Sequence, residues 1–219
     1  MKTIFLCLFA ISLNSLFAQT YDSNPFSKNG MNSQELLDQG YARYQVASGY
    51  LRMDITNKKG KKKGEQIHYW DRWGLREARI EKDKKGEITS ITYLDGEMQH
   101  MYTPETNSYM TIKNTFIKPV AKEMGEKDLT EGGKKLLQRM GGEKIREEAF
   151  LGKSCEVWKT QLLGSQLNWI WKGLSLKMEV VALGMTSYYL GQELKVGIEI
   201  PEEKVCLPKD AKSAFAGLK

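Results

Sequence analysis

Few residues in this chain are of types that do chemistry, and their spacing narrows the choices further. The histidines, His68 and His100, fall in different strand-like segments, with no metal-ligating partner at a fixed interval. Each is expected to be a strand residue with a local hydrogen bond. There is no His-Glu-x-x-His zinc motif, no Gly-x-Ser-x-Gly elbow and no Gly-rich phosphate loop leading into a helix. Cys155 and Cys206 lack the short pair spacing of zinc or redox sites. Acidic residues interleave with lysines on alternating strand faces, the pattern of a solvated sheet surface. A carboxylate pair for glycoside hydrolysis would have to be assembled from separate strands, and nothing here supports one. No catalytic residue, metal ligand or cofactor is therefore assigned, and the expected class is not an enzyme.

What the sequence does offer is apolar and aromatic residues on strand faces. Five Trp, ten Tyr, seven Phe and ten Met suit a β-rich fold with a large apolar interior. In Leu167 to Lys172, alternation puts Leu167, Trp169 and Trp171 on one face, with Asn168 and Lys172 on the other. Two indoles on one strand face need a broad apolar space, either a filled core or a cavity. The candidate interior set is Leu51, Met53, Tyr69, Met98, Met101, Tyr109, Trp158, Trp169 and Trp171. As ligand-binding residues they would provide rigid aromatic walls and adaptable Met side chains for an acyl chain or a similar partner. The competing reading is that they fill a core.

The elements that position them can be read from period and punctuation. Asn32 caps a short helix, with Glu35 completing a capping box, Leu36-Leu37 on the apolar side and Gly40 stopping it. From Tyr41 the period changes to two, and Leu51, Met53 and Ile55 share one face of a strand. Hairpins follow, turning at Arg72-Trp73-Gly74, Asp95-Gly96 and Pro104 to Asn107. Between about 121 and 150 the period is helical, with Leu129, Leu136, Leu137, Met140 and Ile145 recurring; Gly132-Gly133 and Gly141-Gly142 are expected to divide this insertion into short helices. It would either cover one end of a sheet or serve as a plain connector. Strands resume from Leu167 and continue through Leu176-Met178-Val180 and Leu194-Val196-Ile198. Such a series of short strands argues for an antiparallel meander in a single domain.

Location narrows the function classes. Met1 to Ala18 reads as an export signal, with Lys2 at the start, an apolar run over Ile4 to Ile11 and a small residue before Gln19. The run is too short for a bilayer span, which takes roughly 20 apolar residues, and no later segment approaches that length. Cleavage after Ala18 would leave a soluble envelope protein over 19–219, in the periplasm or, as second choice, secreted. The net charge of +6 gathers partly in Lys58-Lys59-Gly60-Lys61-Lys62-Lys63. Outside the cytoplasm this cluster reads as a solvated hairpin loop, with weak attraction to anionic membrane as the remainder, and not as a nucleic-acid site. Removing Cys7 with the signal leaves Cys155 and Cys206. They are expected to form a disulfide closing a loop of about 50 residues, worth about 4 kcal/mol at most, with two free thiols as the alternative.

Three blocks carry a family resemblance: Tyr69 to Glu77 (YWDRWGLRE), Phe150 to Trp158 (FLGKSCEVW) and Trp169 to Lys177 (WIWKGLSLK). With the order of signal, short helix, meander, helical segment and further strands, the chain resembles the periplasmic lipoprotein-carrier-like (LolA/LolB-like) superfamily, nearest to uncharacterised exported bacterial members. The resemblance implies an α+β fold, predominantly antiparallel β: an unclosed, strongly curved half-barrel with short helices as a lid over an apolar interior. In true carriers that interior holds acyl chains of a lipoprotein, and no carrier-specific residue maps here by motif. The expected function is a carrier or sensor for an apolar ligand such as a lipid or lipidated protein. The alternative is a packed structural module that contacts an envelope protein partner.

Overall fold

The computed structural model describes residues 30–113, 117–161, 164–182 and 184–214. The export signal and Cys7 lie outside the described residues. Helix α1 (Ser33–Asp38) begins at Asn32, whose side chain accepts from the Gln34 and Glu35 amides while Glu35 reaches back to the Asn32 amide. Strands β1 (Gly49–Asn57), β2 (Lys62–Asp71), β3 (Arg76–Asp83), β4 (Ile88–Asp95), β5 (Met98–Thr103) and β6 (Ser108–Lys113) follow as a meander. Of the lysine cluster, Lys58, Lys59 and Lys61 lie in the exposed β1–β2 loop, and Lys62 and Lys63 open β2. Helices α2 (Ile117–Met124) and α3 (Leu129–Arg139) then lead to β7 (Glu143–Phe150), β8 (Lys153–Thr160), β9 (Ser165–Trp171), β10 (Leu174–Ala182) and β11 (Met185–Val196). The short α4 (Glu202–Val205) and β12 (Lys212–Ser213) close the described chain.

All strands belong to one sheet, in the order β12-β6-β5-β4-β3-β2-β1-β11-β10-β9-β8-β7. Every pairing is antiparallel except β12 on β6. The two meanders join where β1 pairs with β11, so the last long strand lies beside the first. β7 and β12 stand at opposite edges, and the sheet is an open half-barrel. No helix among the described residues is long and apolar enough to cross a membrane.

The helical insertion differs from expectation in two places. Gly132-Gly133 does not divide it, because α3 runs through both glycines, although each costs a helix about 1 kcal/mol relative to Ala. Residues 143–150 are not helical. Glu143, Lys144, Arg146, Glu147 and Glu148 make β7 a charged, exposed edge strand paired with β8, and such charges keep an edge from pairing with other chains. Ile145 is exposed on it and belongs to no core.

Both faces of the sheet are covered, in different places. Directly opposed residues in an antiparallel pair share a face, so Leu51, His68, Arg79, Thr92 and Met101 form one inward row across β1 to β5. On the outward face of β2 to β5, Tyr69, Ala78, Ile80, Ile91, Tyr93 and Tyr102 pack under Ile198, Ile200, Val205 and Leu207 of the C-terminal segment. Leu36, Leu75 and Ile117 tie α1 and α2 to the end of the sheet.

The expected disulfide is not formed. Cys155 and Cys206 are free thiols. Cys155 sits in β8 within the cluster that holds Val157 and Trp169. Cys206 follows α4, which packs on β2 and β3, and lies 3.7 Å from Arg76 Nη1. β8 and β2 are five positions apart in the strand order, at about 4.8 Å per strand, whereas bridged Cα atoms lie within about 7 Å.

Candidate binding cavity

The segment between α1 and β1 has no regular structure, yet its backbone is tied on three sides. The Arg43 and Tyr44 amides both donate to Trp73 O, Gln45 N donates to Lys172 O, and Leu129 N donates to Ala42 O. These bonds fix Tyr44 over the inward face, where its ring stands edge-on to His68 and Trp70. The tight turn at Arg72 to Gly74 makes this possible. Gly74 has φ of 79°, and a Cβ there would collide with the Tyr44 ring.

Around Tyr44 four polar side chains converge. Glu77 Oε2 accepts from Tyr44 Oη at 2.7 Å and from His68 Nε2 at 2.8 Å. Its Oε1 accepts from Arg43 Nη1 at 3.0 Å and Arg79 Nη2 at 3.1 Å. Glu77 is only 4% exposed. Burial alone would raise its pKa, but Arg43, Arg79 and His68 prevail and hold the carboxyl well below its usual range. Burial pushes the Tyr44 hydroxyl up to about 12, with Glu77 adding to the effect and the two arginines opposing it. His68 is pushed below its ordinary value by burial, against the pull of Glu77. The cluster at neutral pH is therefore two guanidinium ions, one carboxylate, a neutral phenol and a neutral imidazole.

This cluster forms one end of a cavity of about 260 Å³ between the inward face of the sheet and helix α3. Arg43, Tyr44, His68, Arg79 and Gln66 line the polar end. Leu51 and Met53 from β1, Ile170, Leu174 and Met178 from β9 and β10, and Leu129, Leu136 and Leu137 from α3 line the rest. Asp128 caps α3 by accepting from the Thr130 amide, and Thr130 Oγ1 donates to Arg43 O, so the helix is pinned to the same segment that carries Tyr44. Gly133 faces this space, and a Cβ built on it meets nothing within 4 Å. Asn168 also lines it, its buried Oδ1 having no hydrogen-bond donor among the described residues.

Of the nine residues proposed from the sequence, the cavity brings together Leu51 and Met53. Trp158 lies opposite Asn168 and so shares the inward face, but does not line the space. Trp169 lies opposite Val157 and Lys177, on the other face, with Lys177 Nζ 3.9 Å from its ring centroid and Arg146 at 5.6 Å. Trp171 is flanked by Lys153 and Lys172. Tyr69 packs beneath the C-terminal segment with its ring tilted against Tyr50, and Tyr109 meets His100 at the far side of the sheet. Met101 faces inward between Thr92 and Met110, and Met98 sits at the β4–β5 hairpin opposite Asp95. Neither Trp169 nor Trp171 lines the cavity: Trp169 is buried in the core cluster with Cys155, Val157 and Leu176, Trp171 packs against that cluster, and long cationic stems cover their rings.

Sequence reasoning missed Arg43, Tyr44, Glu77 and Arg79. It placed the charges of β3 on a solvated surface, and Glu77 is buried instead. A signal was present: a hairpin turning at Arg72 to Gly74 sets Trp70 opposite Glu77 and His68 opposite Arg79. A face that mixes Trp with a carboxylate and a guanidinium is a buried ion-pair pattern more than a solvated one. Groups of three or more metal-ligating side chains do not occur among the described residues.

No protein-family model matches the sequence, and no curated protein matches it. Among solved structures the chain is similar to an uncharacterized conserved protein from Thermus thermophilus, at 12% identity over 83% of this chain and 97% of that one, with a TM-score of 0.49. It is similar to a LolA superfamily protein from Nitrosomonas europaea, at 9% identity over 80% and 98%, with a TM-score of 0.36. It is similar also to the lipoprotein LppX of Mycobacterium tuberculosis, at 8% identity over 77% and 94%, with a TM-score of 0.39. These are likenesses of chain path, and the open half-barrel itself stands on the strand order described above.

Proposed function

We propose that this protein is an exported, periplasmic carrier or sensor that holds a small apolar ligand between the half-barrel and helix α3. The observation that carries this reading is the unfilled space lined by Leu51, Met53, Leu136, Leu137, Leu174 and Met178. A packed structural module would have closed it, because interiors pack to the density of organic crystals. At about 260 Å³ the space falls just under the range usual for drug-sized ligands. It suits one short acyl chain or a comparable molecule, and several chains of a lipidated protein would need α3 to move aside.

Gly133 supports the same reading. A glycine in the middle of a helix is costly, and here the missing side chain keeps the cavity open. The test is native mass spectrometry of the purified protein, with extraction of any bound lipid. The reading predicts an apolar adduct on the wild type that is absent from Gly133→Trp. An adduct-free wild type that also fails to bind added decanol or decanoate would end it.

The His68–Glu77 pair favours a second reading, an acid–base site at the polar end of the cavity. Against it, Glu77 already accepts four hydrogen bonds and is held ionised, which makes it a poor proton acceptor. The only side-chain hydrogen bond described for His68 is the one to Glu77. Turnover of an ester or amide probe that His68→Gln abolishes would promote this reading over the carrier.

A further inference from the structure

The two ends of the cavity differ in charge as well as polarity. Arg43 and Arg79 are both largely buried, and the only carboxylate between them is that of Glu77. Of the side chains that line this end or bond within it, two guanidiniums meet one carboxylate, and His68 and Tyr44 are neutral. Each arginine reaches Glu77 through a single nitrogen, Nη1 of Arg43 and Nη2 of Arg79. Arg43 Nη1 also donates to Gly74 O, and Arg79 Nη2 lies 3.4 Å from Tyr44 Oη. A guanidinium carries five N–H donors in a planar fork, so each keeps an edge that these bonds do not use, and both residues line the cavity. Other charges nearby are accounted for. Glu81, two residues along β3 and bonded to Gln66, also draws on Arg79 but does not line the cavity. Lys134 lines it, yet its ammonium is held between Glu131 at 3.0 Å and Glu156 at 3.1 Å.

Resting on the carrier reading above, we infer that the ligand is an anionic amphiphile: a single short acyl chain whose carboxylate is taken by Arg43 and Arg79 while its tail lies along Leu51, Met53 and α3. A neutral apolar molecule would leave the unused guanidinium edges without an acceptor, and a cationic one would face two guanidiniums. Bonds to a charged group are strong enough to set the ligand's orientation, which apolar contacts alone do not.

The experiment is calorimetric titration of the full wild-type protein at pH 8 with three ligands of one chain length: decanoate, decanol and decyltrimethylammonium. The inference predicts that decanoate binds about 10- to 100-fold more tightly than decanol, and that the cation binds more weakly than either. In Arg43→Met and Arg79→Met the preference for decanoate over decanol should fall by about 10-fold or more, with decanol binding retained. The wild-type comparison stands even if a variant fails to fold. Equal or tighter binding of decanol by the wild type would overturn the inference and leave the carrier reading intact. Binding of none of the three would overturn both.

Discussion

The buried phenol gives a prediction whose size follows directly from the structure. Tyr44 is 6% exposed and donates to Glu77 at 2.7 Å. Replacing it with Phe removes a hydrogen bond to a charged group, worth about 1.5–3 kcal/mol at neutral pH. Glu77 keeps His68, Arg43 and Arg79, so the fold should survive. The alkaline limb provides an independent check. Burial first, and Glu77 second, push the Tyr44 hydroxyl from its ordinary 10.0 to about 12. A tyrosine whose folded pKa is raised contributes stability that is complete below pH 10 and is lost as pH rises through 12. Two units correspond to about 2.7 kcal/mol at saturation. Tyr50, Tyr69 and Tyr93 are also pushed up, burial being the first cause in each, but both proteins share them and the difference isolates Tyr44. The assay is urea unfolding of wild type and Tyr44→Phe at several pH values between 8 and 12.5. The wild type's advantage should be largest near pH 8 and shrink by about 2 kcal/mol or more by the top of the range. A difference that stays constant with pH would refute the burial of Tyr44 against an ionised Glu77.

Glu77→Gln should destabilise by about 3–5 kcal/mol in the same assay, because it leaves two buried guanidiniums without their counter-ion. Acid should act in two steps on the wild type. Stability present above pH 6.5 falls as the unfolded chain protonates His68 and His100, and it falls again below pH 4.5, where the unfolded chain protonates Glu77 together with Glu148, Glu156 and Glu193; Glu77→Gln should make the second step smaller. Gly133→Ala should raise stability by about 0.5–1 kcal/mol, since the added methyl meets no atom within 4 Å and favours the helix. Alkylation in denaturant without reductant, followed by peptide mapping, should label both Cys155 and Cys206; protection of the pair would show a bond between them.

The parts of this fold that were legible in the sequence are those fixed by near neighbours. Asn32 with Glu35, Asp95 with Gly96 and the alternation of Leu51, Met53 and Ile55 each specify a cap, a turn or a strand within a few residues, and each is found as expected. The lysine loop was legible for the same reason. The interior was not. Alternation in β9 separates Trp169 from Asn168 but does not say which face is inside when both faces are covered. Trp169 is buried in the core cluster with Cys155 and Val157, while Arg146 and Lys177 lie over its ring. β3 misled in the opposite sense. Its charged face, Glu77 and Arg79, is turned inward, where Arg43, 34 residues away in sequence from Glu77, pairs with the same carboxylate. α3 runs through Gly132-Gly133 because tertiary anchors at Asp128 and Thr130 hold it against the low propensity of that pair.

The central claim is that the space under α3 holds a ligand, and occupancy compared between wild type and Gly133→Trp tests it most directly. Native mass spectrometry, with urea unfolding to verify that both are folded, should find an apolar molecule bound to the wild type and none on the variant. Equal occupancy of the two would place the ligand elsewhere and contradict the account.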